Sequence, residues 1–387
     1  MRSSRLSQND ARKGRIGSLD GVRGIAAVVV LLYHHSLVAR PALEQQNGVW
    51  EWLTQSPAKI LTAGTEAVLV FFVLSGLVVA LPALQGRLNW LSYYPTRLLR
   101  LYLPVAASLV LAAGFLLLVP HSGTQAAPGS WLLERNADSA PLSLLLNEAT
   151  LLPATYTLNN VLWSLRWEVL FSLLLPVFVV AARAAASRVW LAVIASTASM
   201  VLGRVLEIDA LVYLPTFFLG TLMAANLDRL RAWGETASAR RGGVLWLGVG
   251  VASSGLLIAG WLARPLAPAG SAPSAVLWGL ASLGAAGLIV VSLLSPWCRA
   301  VLESAVPRWL GRMSFSIYLV HIPVLAAAGF LIGDERWWLV SAVAVPATVV
   351  VAVLFHVAVE KPAHVLARRV GDRAAAQPDR SPVPTSV

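Results

Sequence analysis

The chain alternates between long apolar stretches and short polar connections that are rich in arginine. An α-helix needs about 20 apolar residues to cross the hydrocarbon core of a bilayer. About ten stretches approach this length, near 18–38, 60–83, 101–120, 161–182, 188–206, 210–226, 243–263, 273–296, 313–332 and 337–359. The pattern predicts an all-α, polytopic integral membrane protein with about ten transmembrane helices.

Composition supports this interpretation. Of the 387 residues, 57% are hydrophobic and 13% are charged, whereas soluble domains carry about 25% charged residues. We predict a basic cytoplasmic N-terminal tail at 1–17, a ten-helix transmembrane domain at 18–362 and a polar, disordered cytoplasmic tail at 363–387. The end of the last part is rich in Pro, Ala and Ser, which predicts disorder. The expected location is the cell (cytoplasmic or inner) membrane, with several spans.

The net charge of +11 follows from topology. Of the 30 Lys and Arg residues, 22 lie in the two tails and the even-numbered connections, and six lie in the odd-numbered connections. Cytoplasmic loops carry such an excess of Lys and Arg. We therefore expect both termini in the cytoplasm, and nucleic-acid binding is not needed to explain the charge.

The residues that bind metals or form disulfides are sparse. The single cysteine, Cys298, excludes an intramolecular disulfide and a cysteine-based metal cluster. The six histidines show no ligand spacing such as H-x-x-x-H. The sequence therefore predicts no metal site.

The first apolar stretch contains an arginine and a pair of histidines. Arg23 and His34 are 11 positions apart, which places them on the same side of one helix, about 16 Å apart along its axis. Asp20 is close enough along the helix to pair with Arg23. Intramembrane ionisable residues suggest function, but a snorkelling arginine and interfacial histidines would explain the same pattern.

A second polar group opens the fourth stretch, in WSLRWEVLFSLLLP at 163–176. Ser164 and Glu168 lie at i and i+4 on one helix face. Trp163 and Trp167 are typical of an interfacial belt. Glu168 lies about a turn and a half inside the span, where a carboxylate needs a partner, so we favour a functional role for it.

Two further groups have both a functional and a structural interpretation. His321, in LGRMSFSIYLVHIPV at 310–324, follows Tyr318 by one turn, and a lone intramembrane histidine is often a packing residue. Arg97 and Arg100, in YYPTRLLRLYLP at 93–104, would anchor the cytoplasmic side of a span. The same two guanidinium groups would equally hold the phosphates of an anionic ligand.

Together these segments resemble the membrane-bound acyltransferase 3 family. The matching motifs cover about 18–362, and they are Leu19 to His34, FFVLSG at 71–76, R-x-x-R at 97–100 before Pro104, W-S-L-x-x-E at 163–168, the His-containing pattern at 310–323 and E-x-P at 360–362. The sequence departs from the family where an acidic residue is common before FFVLSG, because Leu69 and Val70 stand there.

The resemblance implies an integral-membrane O-acyltransferase that moves an acyl group, acetyl in the expected case, from cytoplasmic acyl-CoA to a hydroxyl of a carbohydrate-type acceptor. His34 would be the general base. Glu168 would orient an imidazole or the acceptor, and Arg23 would steady the thiolate or a phosphate. The predicted substrate and acyl-CoA binding residues are Arg97, Arg100, Ser164, Trp163 and His321.

The resemblance also implies that acyl-CoA is a co-substrate, that no cofactor is tightly bound, and that the partners are the acceptor and membrane lipid. We expect a tunnel that carries the thioester inward from the cytoplasmic side. The connection at 121–160 would either cover the active site or be a plain loop.

Two other functions stay open at this point. A proton-coupled transporter would also hold Arg, His and Glu inside its bundle. It predicts broken helices near mid-membrane, which the sequence does not clearly show. A non-catalytic membrane scaffold or sensor would leave these buried polar residues without a use.

Overall fold

The computed structural model describes residues 16–121, 126–153 and 155–376. Most of the predicted basic tail and the end of the polar tail lie outside these residues. Within them, all regular secondary structure is helical. The α-helices, numbered in chain order, are α1 (Gly17–Glu44), α2 (Val49–Gln55), α3 (Gly64–Leu84), α4 (Trp90–Leu118), α5 (Trp131–Arg135), α6 (Leu142–Ala149), α7 (Leu162–Leu173), α8 (Leu175–Ala185), α9 (Val189–Val205), α10 (Asp209–Ala225), α11 (Leu227–Leu257), α12 (Ala259–Leu262), α13 (Ala272–Leu294), α14 (Pro296–Leu302), α15 (Ala305–Ile332), α16 (Trp337–Phe355) and α17 (Lys361–Ala376).

Several of these helices are suited to a bilayer by length and composition. Among the described residues, six helices are long and apolar enough to cross a membrane, and up to eight are if each of two bent pairs forms one span. Shorter apolar helices at Val189–Val205 and Gly242–Leu257 coincide with two of the predicted spans. The all-helical, multi-span class is confirmed, whereas the number ten and the cytoplasmic location of both termini stay predictions.

Helix α4 begins earlier than the apolar pattern indicated. The side chain of Asn89 caps it by accepting hydrogen bonds from the backbone N–H groups of Leu91 (3.0 Å) and Ser92 (3.3 Å). Arg97 and Arg100 therefore lie inside this helix, not in the connection before it. The sequence could not show this, because hydropathy marks only the apolar part of a helix.

The predicted disorder from residue 363 is wrong as far as Ala376. Helix α17 continues to that residue and packs against α4. The Thr96 hydroxyl donates to the backbone oxygen of Ala367 over 3.3 Å, and Ala367 is fully buried. The polar composition of this segment hid a helix whose small residues fit against α4.

Two helix pairs are sharply bent, which the sequence did not reveal. The axes of α7 and α8 differ by 68°, and those of α10 and the first part of α11, Leu227–Ala239, differ by 73°. A kink at Gly242 separates this part of α11 from the shorter apolar helix Gly242–Leu257. The first break follows Leu173, and Pro176 stands in the first turn of α8, where a missing N–H does no harm. The apolar stretch predicted at 161–182 is therefore two helices with a sharp bend between them.

The packing of α1 against α15 brings the two intramembrane histidines together. Gly24 and Gly311 lie where the backbones approach most closely: a Cβ atom on Gly311 would lie 2.1 Å from the carbonyl oxygen of Asp20. Small residues allow membrane helices to pack at such distances. Close approach along these two helices brings the side chains of His34 and His321 into direct contact.

Candidate active site

His34 and His321 form a buried hydrogen-bonded pair. His34 Nδ1 lies 3.1 Å from His321 Nε2, and the ring centroids are 5.0 Å apart. The exposed fraction of His34 is 7% and that of His321 is 0%. The sequence predicted both residues individually, but the direct contact between them is a result of the helix packing.

Neighbouring carbonyl groups define the tautomers of this pair. His321 Nδ1 lies 3.0 Å from the oxygen of Ile317, which only accepts, so Nδ1 carries the proton and Nε2 is an acceptor. His34 Nδ1 lies 2.9 Å from the oxygen of Val30 and also faces His321 Nε2. Its N–H therefore donates to both. The remaining nitrogen, His34 Nε2, keeps its lone pair and is available as a base.

His34 lines a cavity of about 850 Å³. The cavity extends from His34 towards the C-terminal end of α1, the opposite end from Arg23. The ring of Trp131 forms one wall, with its centroid 5.6 Å from that of His34. The other lining residues are Val30, Tyr33, Leu37, Arg40, Pro41, Glu44, Gln45, Gly64, Thr65, Val68, Pro128, Gly129, Ser130, Glu134, Arg135, Asn160, Val161, Trp163 and Tyr318.

Ser164 and Trp163 form part of the same region. The hydroxyl groups of Ser164 and Tyr318 are hydrogen-bonded over 2.6 Å, and Tyr318 also donates to the oxygen of Val161 over 3.1 Å. Trp163 lines the cavity and contacts Phe72 edge-on. The structure thus places Trp163 at the cavity wall, and Ser164 behind it in contact with the helix that carries His321.

Glu168 is paired with Arg97 and not with an imidazole. Glu168 Oε1 lies 2.5 Å from Arg97 Nη2, and Ser75 of the FFVLSG motif lies beside both groups. Arg97 Nε also donates to Ser172 over 3.1 Å. Glu168 is not part of the cavity wall. The partners of its carboxylate are thus Arg97 and Ser75, and the expected role of Glu168 in orienting an imidazole or the acceptor stays a prediction.

A group of positive charges surrounds Arg100, whose side chain is exposed. The charges of Arg97, Arg23 and Arg368 all act on this guanidinium, as does the carboxylate of Glu360. We call Arg23, Arg97, Arg100 and Arg368 the arginine cluster. Three of its members were predicted as site residues; Arg368 was not, because it lies in the segment that was expected to be disordered.

Glu360 is a buried carboxylate that contacts α15 and whose charge acts on Arg100. It lies at the end of a π-helical turn, His356–Glu360, and π-turns often occur at functional sites. The Ser316 hydroxyl donates to its Oε2 atom over 2.6 Å, and His356 Nδ1 lies 2.9 Å from the same atom. His364 Nε2 lies 3.9 Å from Oε1. The E-x-P motif thus supplies a buried carboxylate next to the cationic groups.

The connection at 121–160 covers the cavity. Both carboxylate oxygens of Asp334 accept from the backbone N–H of Ala127, over 3.0 and 3.2 Å. The buried carboxylate of Glu148 accepts from the backbone N–H groups of Thr157, Leu158 and Asn159. Since residues of this connection line the cavity, its described part is an ordered wall. This position agrees with the covering interpretation of the segment, which stays a prediction.

The geometry brings some predicted residues together and separates others. His34 and Trp163 line the cavity, whereas the arginine cluster and Glu168 do not. His321 lies behind His34, and Ser164 lies behind the cavity-lining Tyr318. The expected continuous tunnel stays a prediction. Ser75, Trp131 and Glu360 complete the two groups; the FFVLSG and E-x-P motifs contained a signal for Ser75 and Glu360, and nothing in the sequence singled out Trp131.

Comparisons with known proteins agree with these motifs. The family model described as an acyltransferase domain, that of the acyltransferase 3 family, matches residues 16–357. Acyltransferase MdmB of Streptomyces mycarofaciens is 28% identical over 386 residues, which cover 90% of this chain and 91% of MdmB. No solved structure matches the chain. The match extends over the helices that carry the histidine pair and three members of the arginine cluster, and the chain belongs to the acyltransferase 3 family of membrane acyltransferases.

Proposed function

We propose that this protein is an O-acyltransferase that moves an acyl group, acetyl in the expected case, from acyl-CoA to a hydroxyl of a carbohydrate-type acceptor. The observation that carries the proposal is the tautomer of His34. Its Nδ1–H is held by Val30 and His321, which leaves Nε2 as a base on a residue that lines a large cavity.

The chemical step uses this base directly. The acceptor hydroxyl gives its proton to His34 Nε2 while its oxygen attacks the thioester carbonyl carbon. The C–S bond then breaks, an ester forms and CoA leaves as a thiolate. The proton passes from His34 to that sulfur, which gives CoA-SH. The lone pair of His321 Nε2 stabilises the His34 imidazolium between the two proton transfers.

The arginine cluster supports the use of a phosphate-bearing donor. It lies towards the N-terminal end of α1, and its charge exceeds that of the nearby carboxylates of Glu168 and Glu360. Guanidinium groups bind phosphates through paired hydrogen bonds. We assign phosphate binding to Arg100, Arg23 and Arg368, and we assign Arg97 to the ion pair with Glu168 that fixes α4 against α7. The donor would then approach from the cytoplasm of a cell whose inner membrane holds the protein.

The test is CoA release from labelled acetyl-CoA by membranes that contain the protein, with and without a glycan extract from the host. His34→Ala should abolish the acceptor-dependent release. His35→Ala is the matched control, because His35 faces Ser341 and is not part of the cavity wall. Equal release by wild type and His34→Ala, with both proteins folded, would remove His34 from the mechanism.

One observation favours a second candidate. The break between α7 and α8 is the feature that a proton-coupled transporter would need. Such a transporter would move a labelled glycan into vesicles without consuming acetyl-CoA. Uptake in the absence of acetyl-CoA, together with no CoA release, would support transport and contradict acyl transfer.

A further inference from the structure

The cavity beside His34 has the features of a binding site for the acceptor. Its volume of about 850 Å³ lies in the upper part of the range of about 300–1,000 Å³ that small-molecule sites occupy. It meets the histidine pair from the end of α1 that lies opposite the arginine cluster. In the proposed reaction the donor approaches from the arginine cluster, so this cavity is left for the acceptor.

The charges around the cavity cancel. Arg40 and Arg135 contribute two positive charges, and Glu44 and Glu134 contribute two negative charges. Arg40 and Glu44 form an ion pair over 2.7 Å, and about half of each side chain is exposed. An acidic acceptor would have to approach these two carboxylates and would find no excess of positive charge to compensate. A neutral acceptor meets no such penalty.

Aromatic rings form the part of the wall nearest to the base. Trp131, Trp163 and Tyr33 all line the cavity, and the Trp131 ring lies against His34. A flat indole face matches the C–H face of a pyranose ring, and the amide of Asn160 and the hydroxyl of Thr65 supply hydrogen-bonding groups at its sides. Trp131 lies in the short helix α5, within the described part of the 121–160 connection.

We propose that this cavity binds a neutral glycosylated compound, with Trp131 as the platform on which the reacting sugar lies beside His34. The inference rests on the proposed acyl transfer and deepens it, because it assigns the acceptor's charge class and the residue that recognises it. Trp131 is a binding residue in this assignment and takes no part in the transfer of the proton.

The first experiment divides the host glycan extract by anion exchange into a neutral and an acidic fraction. Wild-type membranes should release CoA with the neutral fraction. Trp131→Leu should raise the amount of neutral fraction needed for half-maximal release at least tenfold and leave the half-saturating concentration of acetyl-CoA unchanged. For Trp131→Phe, the amount of neutral fraction needed for half-maximal release should lie between the values for the wild type and Trp131→Leu. The control Trp338→Leu changes an exposed tryptophan away from the cavity and should leave both values unchanged.

The second experiment needs no catalysis. Leu37 lines the cavity and Gln46 does not, so each is replaced by Cys in a Cys298→Ser background and labelled with a maleimide. The neutral fraction should slow the labelling at position 37 and leave that at position 46 unchanged. The acidic fraction should slow neither.

The outcomes separate this proposal from the acyl transfer itself. CoA release with the acidic fraction alone, or an effect of Trp131→Leu on acetyl-CoA instead of the acceptor, would overturn the acceptor assignment and leave the acyltransferase intact. Protection at position 37 without any CoA release would support the binding site and contradict the chemistry. An absence of protection at position 37 would overturn the site.

Discussion

The Nδ1 atom of His34 lies 3.1 Å from the Nε2 atom of His321, although 287 residues separate them in the sequence. In the proposed mechanism His321 is a positioning residue, because its Nε2 accepts the hydrogen bond from His34 Nδ1–H and leaves His34 Nε2 for the acceptor. The geometry resembles the general arrangement in which one group fixes the tautomer of a catalytic imidazole.

His321→Leu should lower kcat about 100-fold, because a positioned acid–base group contributes a factor of about 10²–10⁴ to the rate. The KM for acetyl-CoA should stay unchanged, since His321 is remote from the arginine cluster. His321→Gln should restore most of the activity through an amide oxygen that accepts from His34 Nδ1–H. Steady-state kinetics on the three proteins checks this, and equal losses in the Leu and Gln variants would indicate a packing role only.

Removing either partner of the Arg97–Glu168 ion pair should lower the free energy of unfolding. The two side chains are 18% and 23% exposed, and removing one partner of a buried pair costs about 3–5 kcal/mol. We expect about 2–3 kcal/mol for Arg97→Met or Glu168→Gln at this partial burial. The double variant should be less destabilised than the sum of the two. Thermal unfolding in detergent measures the coupling, and strictly additive losses would refute it.

Arg368 should contribute to donor binding. Arg368→Gln should raise the KM for acetyl-CoA about tenfold, which corresponds to about 1.4 kcal/mol, with a smaller effect at high salt. The neighbouring Arg369→Gln is the matched control, since Arg369 is also exposed and its charge is not among those that act on Arg100. Equal effects of the two substitutions would show that only the general charge of α17 matters.

Lys59 should make the free energy of unfolding depend on pH in the alkaline range. It lies in the 3₁₀ turn at Pro57–Thr62, is 2% exposed, and its ammonium lies 3.9 Å from the ring centroid of Trp261. Burial lowers the pKa of Lys59 from 10.5 to about 8, and the charges of Glu66 and Arg264 act in opposite directions. Between these values the unfolded chain binds more protons than the folded chain, so the free energy of unfolding rises with pH.

The free energy of unfolding should rise by about 3 kcal/mol between pH 7 and pH 10.5, because each unit of pKa shift corresponds to about 1.36 kcal/mol. Lys59→Met lacks this titration, so the wild type should gain stability relative to the variant as the pH rises. Unfolding in detergent at several pH values measures the difference. A difference that is constant over this range would contradict the lowered pKa.

The contact between α1 and α15 should not tolerate a side chain at Gly311. Gly311→Ala would place a Cβ atom 2.1 Å from a backbone oxygen. The two helices would therefore have to separate, and the distance between His34 and His321 would increase. We expect at least a tenfold loss of activity and a lower melting temperature. Gly114→Ala is the control, because nothing lies within 4 Å of that position and alanine favours a helix by about 0.5–1 kcal/mol. Full activity in Gly311→Ala would refute the close packing.

The sequence predicted individual residues better than their partners. Periodicity and hydropathy located the helices that carry His34, Glu168 and His321, because a bilayer imposes both length and apolarity on each span. The pairing of Glu168 with Arg97 could not be predicted, since it depends on how α4 crosses α7. The helix at Lys361–Ala376 was missed for a related reason: its stability comes from contact with α4, and its own composition is that of a polar tail.

The break after Leu173 was hidden for another reason. Apolar residues continue on both sides of the break, so the hydropathy pattern predicts one span. In the structure the axes of α7 and α8 differ by 68°. Trp131 lies in a short helix between two long ones, and a single tryptophan in a loop has no periodicity to mark it.

The position of the histidine pair between two unlike ends of α1 has a consequence for the direction of the reaction. In the proposed reaction, the donor's charged head would stay with the arginine cluster, while the acceptor would enter and leave through the cavity at the other end. Only the acyl group needs to pass between the two sides, and the high-energy thioester is consumed as it does so. The protein would thus export an acyl group without exporting its carrier, and the cell would keep its CoA.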